Sequence, residues 1–445
     1  MSIVIAVALI VGLPVIPRRW RICLFLPLAV FQIYPPWLVI GQVPVPLAMI
    51  FAYAFWPQVL SEARFLISIK SMRLILGIVL VTIVSFLWSV DVRLGLVSLN
   101  AYLSFVFVFA GMASQARVDP RWITRGFTAM YLSMIIFAAS VVAFRFAPDA
   151  KLLFLKTNLA SWFISSNTLT SLFSDGRNNV FDPEKSGGFA FVNGNAASTF
   201  LGIVAMMALG TARAYGSRLH LLCGLIILCS VPFAGSKAGA LLVVPLVGIF
   251  ALFKIEKKNR PMVAYISIVF CVIALIVFKI VDPASVSSAP SLGSRISDTA
   301  ETRIQMWTFA VKMFMESPVL GQGFGGWQVE FPAYARFAGV PQDLPPHNTF
   351  VYLWSQSGLV AIGLGAYFVA VVLLMGARGM RAKSIDQKGL GAMLMLGYLW
   401  LFIQGFGENQ GLIGDVHMQP VLATALAIFI VQSRKFLEHG RGKYA

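Results

Sequence analysis

The chain has 445 residues, 58% of them hydrophobic and 12% charged, with a mean hydropathy of +0.81. That balance excludes a soluble globular enzyme and a disordered chain. The formal net charge of +17 comes from basic residues set in short clusters between apolar runs, the pattern of membrane-topology signals and not of a nucleic-acid surface.

Apolar runs long enough to cross a bilayer recur from end to end. Met1 to Ile16 has no basic residue ahead of it, and Arg18, Arg19 and Arg21 follow it, so it reads as a first membrane helix and not a cleaved signal. Spans are expected near 2–17, 20–34, 37–56, 73–89, 95–115, 122–146, 189–212, 217–234, 237–254, 260–281, 347–376, 388–406 and 415–433. The second is short, and Pro35 and Pro36 leave it open to being half of a bent hairpin. The expected fold is therefore one all-α polytopic membrane domain over residues 1–445, with about thirteen spans, in a range of twelve to fourteen. Cys23, Cys223, Cys229 and Cys271 all lie inside apolar runs and read as small buried hydrophobes, with no disulfide framework and no metal-ligand spacing.

Charge in the connecting loops alternates. Seven short segments hold 23 of the 35 basic residues, from Arg18/Arg19/Arg21 to Arg434/Lys435/Arg441/Lys443, and ten of the other twelve lie in or beside two long loops. The positive-inside rule then puts the C-terminus in the cytoplasm, the N-terminus outside, and both long loops (147–188 and 282–346) on the outer face. The second loop carries an amphipathic helix near 299–317, with Ile304, Trp307, Val311 and Phe314 at helical spacing and Arg303, Gln305, Lys312 and Glu316 off that stripe. Pro345-Pro346 precede His347, which stands at the threshold of a long apolar run.

The outer side gathers the unusual polar residues. Asn178, Asn179, Asp182, Glu184 and Lys185 precede the seventh span, Gly235-Ser236-Lys237 forms the turn between the eighth and ninth, and Glu408, Asn409 and Asp415 occupy the last outer turn. Lys237, Arg303 and either Arg177 or Lys185 could thus face His347 across an outer cavity. Each has an ordinary reading as well: a histidine at a helix start caps it, an interfacial arginine anchors a lipid headgroup, and a loop lysine is simply solvated. Gly321–Gly326 is no nucleotide loop, since no strand precedes it; it reads as a turn that folds the loop over the membrane surface. His220, His417 and His439 are given no role.

Four pieces in order carry a resemblance: Phe191-Val192-Asn193-Gly194-Asn195, Gly235-Ser236-Lys237, Arg303 with Trp307 running into Pro318-Val319-Leu320-Gly321-Gln322-Gly323, and His347-Asn348 with Gly358-Leu359 beyond. The set is similar to the O-antigen ligase and polymerase superfamily of bacterial envelope glycan enzymes. There are two departures, Lys237 where that family more usually has arginine and N-G-N where it has N-P-N. The resemblance covers about residues 187–375 by motif.

The resemblance implies an inverting glycosyltransferase at the periplasmic face of the bacterial inner membrane, moving an oligosaccharide from undecaprenyl diphosphate to a sugar hydroxyl. His347 and Arg303 would be catalytic, and Lys237, Arg177, Lys185, Asn193, Asn195, Asn348 and Trp307 would bind the diphosphate or substrate. The residue types suit that chemistry: a guanidinium grips two phosphate oxygens, an ammonium acts as a point charge, and an imidazole ordinarily titrates near neutrality. No metal, nucleotide or other cofactor is expected, because the donor carries its own activated diphosphate. The expected partners are the lipid-linked oligosaccharide, an acceptor glycan or lipid A–core, the bilayer, and a flippase and chain-length regulator. Polymerisation of surface-polysaccharide repeat units is the leading reading. Ligation of finished glycan to lipid A–core or another acceptor shares every motif. A non-catalytic glycolipid transporter would instead require charges within spans and two related halves, and neither pattern is prominent.

Overall fold

The computed structural model describes residues 2–40, 43–174, 181–254, 292–340, 342 and 344–441. Among the described residues the chain is mostly helical, 77%, with almost no strand. The helices are α1 (Ser2–Gly12), α2 (Arg18–Phe31), α3 (Leu47–Tyr53), α4 (Trp56–Ser61), α5 (Ala63–Ser68), α6 (Lys70–Ser85), α7 (Val92–Val118), α8 (Arg121–Phe146), α9 (Pro148–Leu155), α10 (Ser166–Ser174), α11 (Gly194–Tyr215), α12 (Arg218–Ser230), α13 (Lys237–Lys254), α14 (Leu292–Glu316), α15 (Gly326–Ala338), α16 (Thr349–Met380), α17 (Ile385–Gly405) and α18 (Met418–Arg441).

Among the described residues, four helices are long and apolar enough to cross a membrane: α7, α8, α11 and α16. Shorter apolar helices cover 3–15, 47–61, 218–234, 237–249 and 418–434. The span expected at 37–56 is not one helix. Val39–Ile40 and Val43–Pro44 pair as a two-stranded hairpin, and α3 and α4 follow with a break between them. Pro44 and Pro46 explain this, since proline lacks the N–H that a continuous helix needs. The span expected at 260–281 lies outside the described residues.

α11 sits at the centre. Eighteen of its residues are buried, and a helix apolar on all sides belongs in the interior. Its closest neighbour is α17, and small residues let the two backbones meet: a Cβ on Gly202 would lie 1.8 Å from the Trp400 ring, one on Gly210 2.5 Å from Met393 N, and one on Gly389 2.3 Å from Ala214 N. The pair is antiparallel, so the start of α11 meets the end of α17. The opposite ends bring Arg213 and Arg218 together with Arg378, Arg381, Lys383 and Lys388. α16 packs on α17 and α6, α18 on α7, and α2 on α8.

The loop helix α14 runs from Leu292, earlier than 299, and besides the 304/307/311 stripe it carries a second apolar stripe that packs against protein. Met306, Phe309, Ala310 and Met313 form a small core with Trp327, Phe331 and Ala335 of α15. Ile304, Trp307 and Val311 face outward, with Phe314 half-buried beside Trp354 at a ring-centroid distance of 3.8 Å. The helix has two apolar faces, and α15 covers the one that the 304/307/311 spacing does not mark.

Candidate functional site

α14 and α16 are locked together by the glycine loop between α14 and α15. Within α16, Gly358 has φ 70° and ψ −166°, a conformation open only to glycine, and the helix kinks there. The loop fills the kink. Leu359 N donates to the carbonyls of Pro318 and Val319, both at 3.1 Å, and Gln322 N donates to the Ser355 carbonyl at 2.7 Å. On its other side the loop meets the segment between α6 and α7, with Asp91 N donating to the Phe324 carbonyl at 2.8 Å and Phe324 N to Ser89 Oγ at 3.0 Å. The glycine turn therefore docks in a kinked helix, a more specific task than folding over the membrane surface. The P-x-x-G-x-G and G-L pieces bind each other and fix the Arg303 helix against the His347 helix.

His347 precedes α16 with φ 44°, a left-handed conformation uncommon outside glycine and one that collects at functional sites. The next two residues hold it. Asn348 Oδ1 caps the helix by accepting from Phe350 N (3.0 Å) and Val351 N (3.2 Å), while its Nδ2 donates to the Phe406 carbonyl at 3.3 Å. Thr349 Oγ1 donates to the Glu408 carbonyl (3.2 Å) and accepts from Gln410 N (3.1 Å). Residues 347–349 are thus stitched to the turn that follows α17. Trp327 Nε1 holds the approach by donating to the Leu344 carbonyl at 2.9 Å.

The charged groups converge on Glu408. Its Oε1 accepts from Asn195 Nδ2 at 2.6 Å and lies 3.5 Å from Arg303 Nη2. Its Oε2 lies 3.5 Å from His347 Nδ1, which is buried and makes no hydrogen bond. Side-chain exposure is 10% for Glu408, 24% for His347 and 33% for Arg303, so the carboxylate is the enclosed member of the set. Arg303 Nη1 rests against Gly407, 3.4 Å from where a Cβ would sit there. Asn193 lies one step back and caps α11, its Oδ1 accepting from Asn195 N at 2.8 Å.

The N-G-N and G-S-K pieces touch through backbone. Ser186 N donates to the Ala234 carbonyl at 3.2 Å, and a Cβ on Gly194 would lie 2.1 Å from that same oxygen. A proline would suit the first helical position by its φ, but its Cβ has no room at 194. Ser236 caps α13, its Oγ accepting from Gly239 N at 3.2 Å, and Gly239 packs on Ser198 of α11 beside Gln404 of α17. Lys237 itself is exposed, and among the described residues it makes no hydrogen bond or ion pair.

Arg303, His347, Asn195 and Asn348 thus come together, with Asn193 and Lys237 on neighbouring turns. Trp307 is 39% exposed, one turn along α14 from Arg303. Lys185 lies in the loop before α11, and its carbonyl accepts from Lys151 Nζ at 2.9 Å. Arg177 lies outside the described residues. Sequence places Glu408 in the last outer turn but assigns it no part in the site, since only its position at a turn after an apolar helix is readable. Among the described residues no three histidine, cysteine or acidic side chains cluster so as to hold a metal.

Residues 222–366 match the family model described as O-antigen ligase, and the match supports the O-antigen ligase and polymerase superfamily. It spans about a third of the chain and takes in Lys237, Arg303, Trp307, His347 and Asn348, but stops short of Asn195 and Glu408. No curated protein matches the chain.

Proposed function

We propose, from the O-antigen ligase match over residues 222–366, that this chain is an inner-membrane glycosyltransferase that polymerises lipid-linked repeat units at the outer face. The observation that supports it most is the meeting of Arg303 and His347 at one carboxylate, in front of a helix long enough to span. About thirteen spans, both long loops outside and the C-terminus in the cytoplasm complete the reading, as the loop charges call for.

In this reading the acceptor hydroxyl attacks the anomeric carbon of the donor. The bond from that carbon to the diphosphate oxygen breaks, the electron pair leaves with undecaprenyl diphosphate, and the configuration inverts. The hydroxyl proton passes to Nε2 of His347, the ring nitrogen on the open side. Arg303 takes the charge that develops on the leaving diphosphate, with Lys237 supplying a second positive point from the start of α13. A positioned base contributes roughly 10²–10⁴ in rate, and a lost charge-stabilising contact costs about 10²–10³.

Ligation to lipid A–core or another acceptor uses the same groups and is the second reading. A deletion strain separates the two by the length of glycan left on the lipid carrier. Single repeat units on carrier, with no polymer, are expected for a polymerase. Long polymer stranded on carrier would replace that reading with a ligase.

A further inference from the structure

We infer that Glu408 is a positioning residue, one that sets the tautomer of His347 and so makes its outer nitrogen a base. The inference rests on the proposed role of His347. It starts from how the carboxylate is held. Asn195 Nδ2 and Arg303 Nη2 both approach Oε1, at 2.6 and 3.5 Å, and this fixes the carboxylate plane. Oε2 faces His347 Nδ1 at 3.5 Å. The backbone is held as firmly, since Thr349 Oγ1 donates to the Glu408 carbonyl at 3.2 Å and Thr349 is two residues from the histidine. The acid and the ring therefore belong to one braced unit, with α11, α14, α16 and the end of α17 as its walls.

An ionised carboxylate has only acceptors. Facing Nδ1 at this distance, it favours the ring form with hydrogen on Nδ1 and the lone pair on Nε2, and it stabilises the imidazolium formed when Nε2 takes a proton. A buried acid beside a histidine whose other nitrogen is open has this as its simplest chemical use. Burial also explains why two further donors are needed, because a carboxylate at 10% exposure must be matched by hydrogen bonds and charge. The same contacts tie up part of Arg303, so the carboxylate competes with any anionic donor for the guanidinium.

Glu408→Gln separates these roles. It keeps an acceptor for Asn195 but turns an N–H toward Nδ1, which favours hydrogen on Nε2 and removes the base. The full-length protein in reconstituted membranes, given lipid-diphosphate-linked repeat units and acceptor, should show turnover down about 10²-fold or more. KM for the donor should stay the same or fall, because Arg303 is released. The double variant His347→Ala/Glu408→Gln should be no slower than His347→Ala alone. Turnover within about threefold of wild type, a rise in KM with turnover unchanged, or a double variant slower by a further tenfold would each overturn the inference. Should the glutamine variant not yield folded protein, Glu408→Asp keeps the charge and acceptors on a shorter stem. It should then lose about tenfold in turnover with KM unmoved, and unchanged turnover would overturn the inference. Near-normal activity in His347→Ala alone would instead sink the proposed role of the histidine, whatever Glu408 does.

Discussion

Asn195 Nδ2 and Glu408 Oε1 meet at 2.6 Å, although 213 residues separate them in the chain. The contact joins the first turn of α11 to the turn after α17, and it exists because the two helices run antiparallel with their backbones in near contact through Gly202, Gly210 and Gly389. It is a charge-assisted bond to an enclosed carboxylate, the stronger kind of protein hydrogen bond.

Removing the donor should be felt in both stability and activity. Asn195→Leu leaves one oxygen of Glu408 less satisfied, at about 1–3 kcal/mol for a buried polar group that has lost its partner. Asn195→Asp should be worse, because it sets a second carboxylate against the first. Thermal unfolding of the detergent-solubilised variants, read beside turnover, is the check. Asp unfolding at or above the temperature of Leu would show that Glu408 does not carry its charge there.

Arg303→Lys should fail almost as badly as Arg303→Ala in transfer assays. Nη2 is directed at Glu408 and Nη1 rests against Gly407, so the guanidinium reaches two neighbours and still presents donors to the open side. An ammonium has one head and no fork. Lys237→Arg should be tolerated, with turnover within about threefold of wild type, since Lys237 is exposed and makes no hydrogen bond or ion pair among the described residues. A lysine at 303 that restores more than about half of wild-type turnover would count against bidentate grip on a diphosphate.

Much of this site was legible in the sequence, but not its centre. His347 stood out because Pro345-Pro346 and a long apolar run frame it, and Arg303 because it sits at helical spacing from Trp307. Glu408 carried no such frame. It reads as one more acid in an outer turn, and its role depends on which helix lies beside α17, information that no local spacing contains. The same limit applies to the second apolar face of α14. Both of its faces are apolar, and the buried one is chosen by α15, which supplies Trp327 and Phe331 as partners. The break before α3 is legible in Pro44 and Pro46, which interrupt a helical run that hydropathy alone joins up.

Gly358→Ala should abolish function by loosening the joint between α14 and α16. At φ 70° and ψ −166° an alanine is strained by about 1–3 kcal/mol. Its Cβ would also lie 2.0 Å from the Val319 carbonyl. Gly363→Ala is the control: the same helix, an exposed position, nothing within 4 Å of the new Cβ, and a gain of up to about 1 kcal/mol in helix propensity. Thermal stability and transfer activity should fall for 358 and hold for 363. Equal behaviour of the two would mean that the glycine loop is not what holds Arg303 near His347.

Topology tests the whole arrangement. Beyond its kink α16 runs from Leu359 to Met380, about 33 Å at 1.5 Å per residue and enough to cross the roughly 30 Å hydrocarbon core. In the proposed arrangement His347 at one end and Arg381 at the other fall on opposite faces of the membrane. α11 repeats the relation with Asn195 and Arg213, and the basic ends of both helices lie on the side away from Glu408. Reporter fusions after Glu184 and Ser291 should accordingly read as extracytoplasmic, and fusions after Lys257 and Arg381 as cytoplasmic. The 23 basic residues in the seven short segments favour this sidedness. A cytoplasmic signal after Ser291 would put Arg303 on the wrong side of the membrane for an outward-facing lipid-linked donor, and the proposed transferase site would fall with it.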